Sequence, residues 1–159
     1  MARPNPIRAI MEAELPSITY QRRKLFRPTH EDALYAYKII NRYIFNNELR
    51  RPVINIGQTK KCWAYCAWHK KHIWNGSWCE IRLNDKWFCP QWFLNTIAHE
   101  MVHQWQYDIY RWDHSLPENS GGHGPSFFLW REEFAYYGLT LKTSFGQRRW
   151  FKYQDFNKC

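Results

Sequence analysis

The apolar positions fall into blocks of two periods. Thr29 to about Leu49 reads as a helix, opened by Thr29 with Asp32 three residues on, a capping box with Asp in place of Glu. Pro52 to Gln58 alternates as a strand through Val53, Ile54 and Ile56. Cys62 to Trp74 and Ser77 to Asn84 read as two further strands joined at Asn75-Gly76, a hairpin dipeptide because both turn positions take positive φ. Pro90 suits the first turn of a helix running to about Tyr110. Residues 113–124 are loop by composition, and Pro125 opens a last helix that Gly138 closes. The order predicts an α+β fold with a small antiparallel three-stranded sheet.

Within the Pro90 helix the pattern separates two faces. At about 100° per residue, Leu94, Ile97, Ala98, Met101, Val102 and Trp105 form one stripe. His99, Glu100 and His103 fall on the opposite side, in the pattern H-E-x-x-H. His99 and His103 lie about 40° apart, one turn along the same face, so both imidazoles reach one ion. Glu100 sits beside them, free to act as general base on a metal-bound water.

A catalytic zinc needs a third protein ligand and an open position. Gln106 and Ile109 stand where a metzincin has glycine and histidine, which excludes that class. The candidates are His114, His123 and the carboxylates Glu118, Glu132 and Glu133. His114 has only four residues in which to return from Tyr110, a reach of about 13 Å. His123 has thirteen, a reach of about 40 Å, and is flanked by Gly122 and Gly124, which let the backbone approach closely. Reach favours His123.

Composition and charge add a partner. The chain has 159 residues, one domain's worth, with no run apolar enough for a membrane span and no apolar leader. Five cysteines in no framework spacing point to reduced thiols inside a cell. The net charge of +9 is segregated: residues 50–71 carry six Lys/Arg and no acid, while 72–141 are net acidic. Arg22, Arg23, Lys24, Lys60, Lys61, Lys70 and Lys71 are the candidate contacts to a polyanion, above all single-stranded DNA. The rings interleaved with these lysines (Trp63, Tyr65, Trp68, His69, Trp74, Trp78, Trp87) suit stacked bases, although most of them are expected in the core. Cys62, Cys66, Cys79 and Cys89 read as small apolar residues rather than a second metal site.

His99-Glu100-x-x-His103 followed by His123-Gly124-Pro125-Ser126-Phe127 resembles the SprT/Spartan family of zinc metalloproteases. The resemblance covers roughly residues 30–140. It implies a zincin-like domain, one zinc ion per chain on His99, His103 and His123, Glu100 as the catalytic residue, and cleavage of proteins bound or crosslinked to DNA. The tail has only Cys159, so the four-cysteine ribbon of bacterial relatives is not expected, and a chain this compact fits a virus- or phage-encoded protein. The expected organisation is a basic arm over 1–28, the metalloprotease domain over 29–141 and a basic tail over 142–159. Two other readings stay open: a nucleic-acid-binding domain with a structural zinc, and a metallopeptidase with a non-DNA substrate. The cleft edge is expected along Cys79–Asn84, where a peptide would add as a strand.

Overall fold

The computed structural model describes residues 26–70, 76–87, 90–110 and 122–144. Helix α1 spans His30–Tyr43, strands β1, β2 and β3 span Val53–Ile56, Ala64–Lys70 and Ser77–Leu83, and helix α2 spans Pro90–Trp105. A π-helical turn, Gln106–Tyr110, extends α2, and two short helices follow, α3 (Pro125–Phe128) and α4 (Arg131–Tyr136). The domain is α+β with α2 at its centre. Helix α2 is enclosed nearly all round, with every residue from Trp92 to Val102 buried, as a helix lying between other elements must be.

Each element starts where local chemistry favours it. The capping box forms: Asp32 N donates to Thr29 Oγ1 at 3.1 Å and Thr29 N donates to Asp32 Oδ2 at 2.8 Å. Helix α1 stops at Tyr43, short of the expected Leu49, although Ile44, Phe45 and Leu49 all remain buried. Asn46 and Asn47 take φ of 53° and 60°, the left-handed region that asparagine tolerates best after glycine. The Asn41 amide holds the reversed chain, donating to Leu49 O and accepting from Leu49 N.

The sheet order is β1-β3-β2. Strand β2 pairs antiparallel with β3, but β1 pairs parallel to β3, with Ile54 beside Ile81 and Ile56 beside Leu83, so the sheet is mixed. Alternation of apolar residues predicts which face of a strand is buried, not which way it runs, so this direction was not legible. The hairpin register also differs: Ser77 faces Lys70 rather than Trp74. That register puts Cys66, Cys79, Ile81 and Leu83 on the packed face, and burial of one face outweighs a turn dipeptide. Gly76 does adopt φ 62°; residues 71–75 lie outside the described residues. Because β3 is central, it cannot be the cleft edge. Strand β2 occupies that edge of the sheet.

The chain on either side of this unit is tied to it. Phe26 bridges Trp87 through both backbone hydrogen bonds and packs on Phe93 with ring centroids 5.4 Å apart. Trp92 meets Trp63 and Trp87 edge to face, and Trp63 and Trp87 meet at a tilt, so these rings are core, as the low aliphatic content requires. The helix expected from Pro125 to Gly138 breaks at Leu129-Trp130, because the turn there seats Trp130 against Phe45 and Trp105. Gly138 ends α4 with φ 76° and its N–H on Ala135 O. Among the described residues no helix is long and apolar enough to cross a membrane.

Candidate metal centre

His99 and His103 sit one turn apart on α2, and Gly122, at φ 73°, turns the incoming chain so that His123 faces them. The three imidazoles converge. His123 Nε2 lies 3.1 Å from His103 Nε2 and 3.1 Å from His99 Nε2. Among the described residues these three form a donor group able to hold a metal ion, with all ligand atoms within 4.8 Å of one another.

Their partners decide which atoms face inward. Gln106 Nε2 donates to Gly122 O and to Ser126 Oγ, both at 2.8 Å. Its Oε1 is therefore turned to His103 Nδ1, which donates to it at 2.8 Å and leaves Nε2 with a bare lone pair. His99 Nδ1 likewise donates to Lys142 O at 2.9 Å, so its Nε2 presents a lone pair toward His123. His123 has one Nε2 between these two acceptors and cannot satisfy both with one proton. A cation at the convergence point satisfies all three, and hydrogen bonds on the far nitrogen are what metal-ligating histidines ordinarily have. The donor set fits a metal ion.

Burial keeps these groups neutral. It lowers His99 to about 3, with the facing His103 and His123 adding to the effect. His103 falls to about 4, again chiefly through burial, against the raising pull of Gln106. Burial lowers His123 as well. Glu100 is buried beside them and pushed up to about 8 by desolvation, opposed by a hydrogen bond from the Cys66 backbone. A carboxyl so placed holds or releases a proton near neutral pH.

The rings rest on a common floor. Phe127, fully buried, lies 4.8 Å from the His99 ring, 5.0 Å from His103 and 4.8 Å from His123 by centroids. Above them opens a cavity of about 520 Å³, lined on the sheet side by residues 61–66 of the β2 edge and on the other side by Thr143 and Ser144. Glu100 and Tyr107 complete its wall.

The structure thus brings together His99, Glu100, His103 and His123. Glu132 and Glu133 are exposed on α4 and take no part. His114 and Glu118 lie outside the described residues. Cys66 and Cys79 bring their Sγ atoms to 2.6 Å on the packed face of the sheet, and contact with Cys79 together with burial pushes the Cys66 thiol far up. Cys62 is exposed, and Cys89 is outside the described residues. Of the candidate polyanion contacts, Lys60 and Lys61 are exposed, with Lys61 on the cavity rim. Lys70 lies in β2. Arg22, Arg23, Lys24 and Lys71 lie outside the described residues.

Sequence reasoning missed two groups. In the sequence, position 106 shows only the absence of a metzincin glycine, yet its glutamine joins the two halves of the site. The Lys142 carbonyl is a backbone atom, which no residue pattern reports. It is carried back to His99 by a strap in which Leu139 and Leu141 are buried and Thr140 N donates to Asn95 Oδ1 at 3.1 Å.

No curated protein matches the chain. The model of the SprT-like family matches residues 34–144, a span holding the sheet, the histidine-bearing helix, His123 and the strap. The chain belongs to the SprT-like family, which is of the zinc metallopeptidase type.

Proposed function

We propose that this chain is a zinc-dependent endopeptidase that cuts proteins bound or crosslinked to DNA. The observation that carries the reading is the convergence of three imidazole Nε2 atoms beside a buried carboxyl, on the floor of an open cleft. His99, His103 and His123 would hold one zinc ion, and three protein ligands would leave open the position that hydrolytic zinc sites keep. Zinc, when bound, supplies Lewis acidity that acidifies water and polarises a carbonyl.

The chain's own residues do the rest. Glu100 takes the proton of the attacking water and returns it to the departing amine, a role that needs a carboxyl titrating near neutrality. Its raised value in the buried site supports this. Gln106 and the Lys142 carbonyl hold His103 and His99 as Nδ1–H tautomers. The substrate backbone adds to the outer edge of β2, whose entry segment lines the cleft.

DNA enters through charge. The chain carries +9, and Lys60 and Lys61 are exposed beside the cleft mouth. DNA-bound proteins are substrates such a surface would concentrate. Cleavage should therefore rise with added single-stranded DNA, and that stimulation should fall steeply with salt. A flat salt response contradicts DNA as activator.

The experiment for the chemistry is Glu100→Gln. The variant should keep its zinc and lose cleavage of a DNA-bound protein. Substantial residual turnover would overturn the role given to Glu100.

A further inference from the structure

The sheet has a second face, turned away from α2. The register places Tyr65, Ala67 and His69 of β2 beside Arg82, Glu80 and Trp78 of β3 on that face, with Val53 and Asn55 of β1 beyond. It is open: Val53 is 47% exposed, Tyr65 is 39% exposed, and the His69 side chain is 39% exposed. A solvent-facing sheet surface of this kind ordinarily carries short polar residues. Here it carries rings and a guanidinium.

One ring pair is fixed across the strands, and cations stand near it. His69 stacks on Trp78 with centroids 5.0 Å apart and planes 21° from parallel, and Glu80 Oε2 fixes the imidazole at 2.9 Å. Tyr65 stands four residues along β2, about 13 Å away, and also lines the cleft. Arg82 stands on β3 directly opposite Tyr65, and Ala67 and Glu80 lie between these two and the His69–Trp78 pair. The Arg82 guanidinium reaches toward the end of β1, with Nη2 at an ordinary contact distance of 3.4 Å from where a Cβ on Gly57 would stand. Lys60 and Lys61 stand exposed on the connection that crosses one end of the sheet, and exposed Arg51 precedes β1 at the other end.

We infer that this outer sheet face is a single-stranded DNA platform, with Tyr65 and the His69–Trp78 pair as two stacking stations and the flanking cations as phosphate contacts. Stacking selects single strands, because a duplex hides its base faces and a flat ring can reach them only when they are unpaired. The cations account for affinity without sequence preference. Tyr65 belongs to both surfaces, so a strand lying on the platform delivers an attached protein to the cleft. The identity of the partner rests on the function proposed above; the surface itself is tested without any proteolysis.

The test is fluorescence anisotropy of a labelled oligothymidylate with the full chain, in a salt series. Trp78→Ala should weaken binding at least about 5-fold, since each stacked base contributes roughly 1–3 kcal/mol. Val53→Glu truncates nothing and puts an anion on the exposed face, so it should weaken binding also. Arg82→Ala should flatten the slope of log affinity against log salt by about 0.7. Unchanged thermal unfolding certifies each variant as folded. A duplex of equal length should bind more weakly than the single strand. Affinity within twofold of wild type for both Trp78→Ala and Val53→Glu would overturn the platform, as would no preference for the single strand. Neither result bears on cleavage, which Glu100→Gln tests alone.

Discussion

Gln106 and His103 are joined by a hydrogen bond of 2.8 Å from the ring Nδ1 to the amide Oε1, and the same amide holds Gly122 O at 2.8 Å. One buried side chain therefore orients a histidine on α2 and anchors the loop that delivers His123. The π-helical turn that begins at Gln106 widens the helix at this point, a distortion often found beside functional sites.

Replacing Gln106 with leucine removes both contacts while filling a similar volume. Metal affinity should fall about 10- to 100-fold, the usual cost of losing such a partner. Competition with a chromophoric chelator measures it. Unchanged affinity would show that the histidines are oriented by other means.

Phe127 supports all three imidazoles from below. Phe127→Ala should destabilise the domain by about 3–5 kcal/mol, as large-to-small changes at fully buried rings do. It should also weaken metal binding, while Phe127→Leu should recover most of both. Chemical denaturation with and without zinc separates the two effects.

Burial of Glu100 gives a pH-dependent prediction for the metal-free chain. Its carboxyl is pushed up to about 8 by burial in the fold, against an ordinary value of 4.5. Between those values the folded chain retains a proton that the unfolded chain has released, so stability falls as pH rises. Glu100→Gln removes this and should stabilise the metal-free chain at pH 7 by on the order of 3 kcal/mol. Zinc should shrink the difference, because a neighbouring cation favours the carboxylate. Thermal unfolding of both chains, with and without zinc, checks the sign.

The histidines slope the other way. With burial lowering His99 to about 3 and His103 to about 4 in the fold, against an ordinary value of 6.5, the unfolded chain takes up their protons first. Stability of the metal-free chain should therefore be lost as pH falls below 6.5, by up to about 1.4 kcal/mol per unit for each histidine. Bound metal should delay the loss. A metal-free chain as stable at pH 4.5 as at pH 6.5, once Glu100 is replaced by glutamine, would contradict this.

The parts of the site legible in the sequence are those governed by local geometry. His99 and His103 follow from helical spacing, and His123 follows from chain reach and its flanking glycines. The capping box at Thr29 was legible for the same reason. What escaped depends on contacts between distant segments. The Lys142 carbonyl and the Gln106 amide act only once the strap and the loop have docked. Strand direction at β1 depends on its packing against α1, and the register at Ser77 on the packing of β2 and β3 against α2. The end of α1 is hidden in the sequence because buried Ile44, Phe45 and Leu49 continue the apolar pattern past the Asn46-Asn47 reversal.

The most direct measurement is the zinc content of the purified chain beside that of His123→Ala. One zinc per wild-type chain, falling well below one in the variant under mild chelation, is the result this account predicts. No zinc in the wild type, or full and equally tight occupancy without the His123 imidazole, would contradict it.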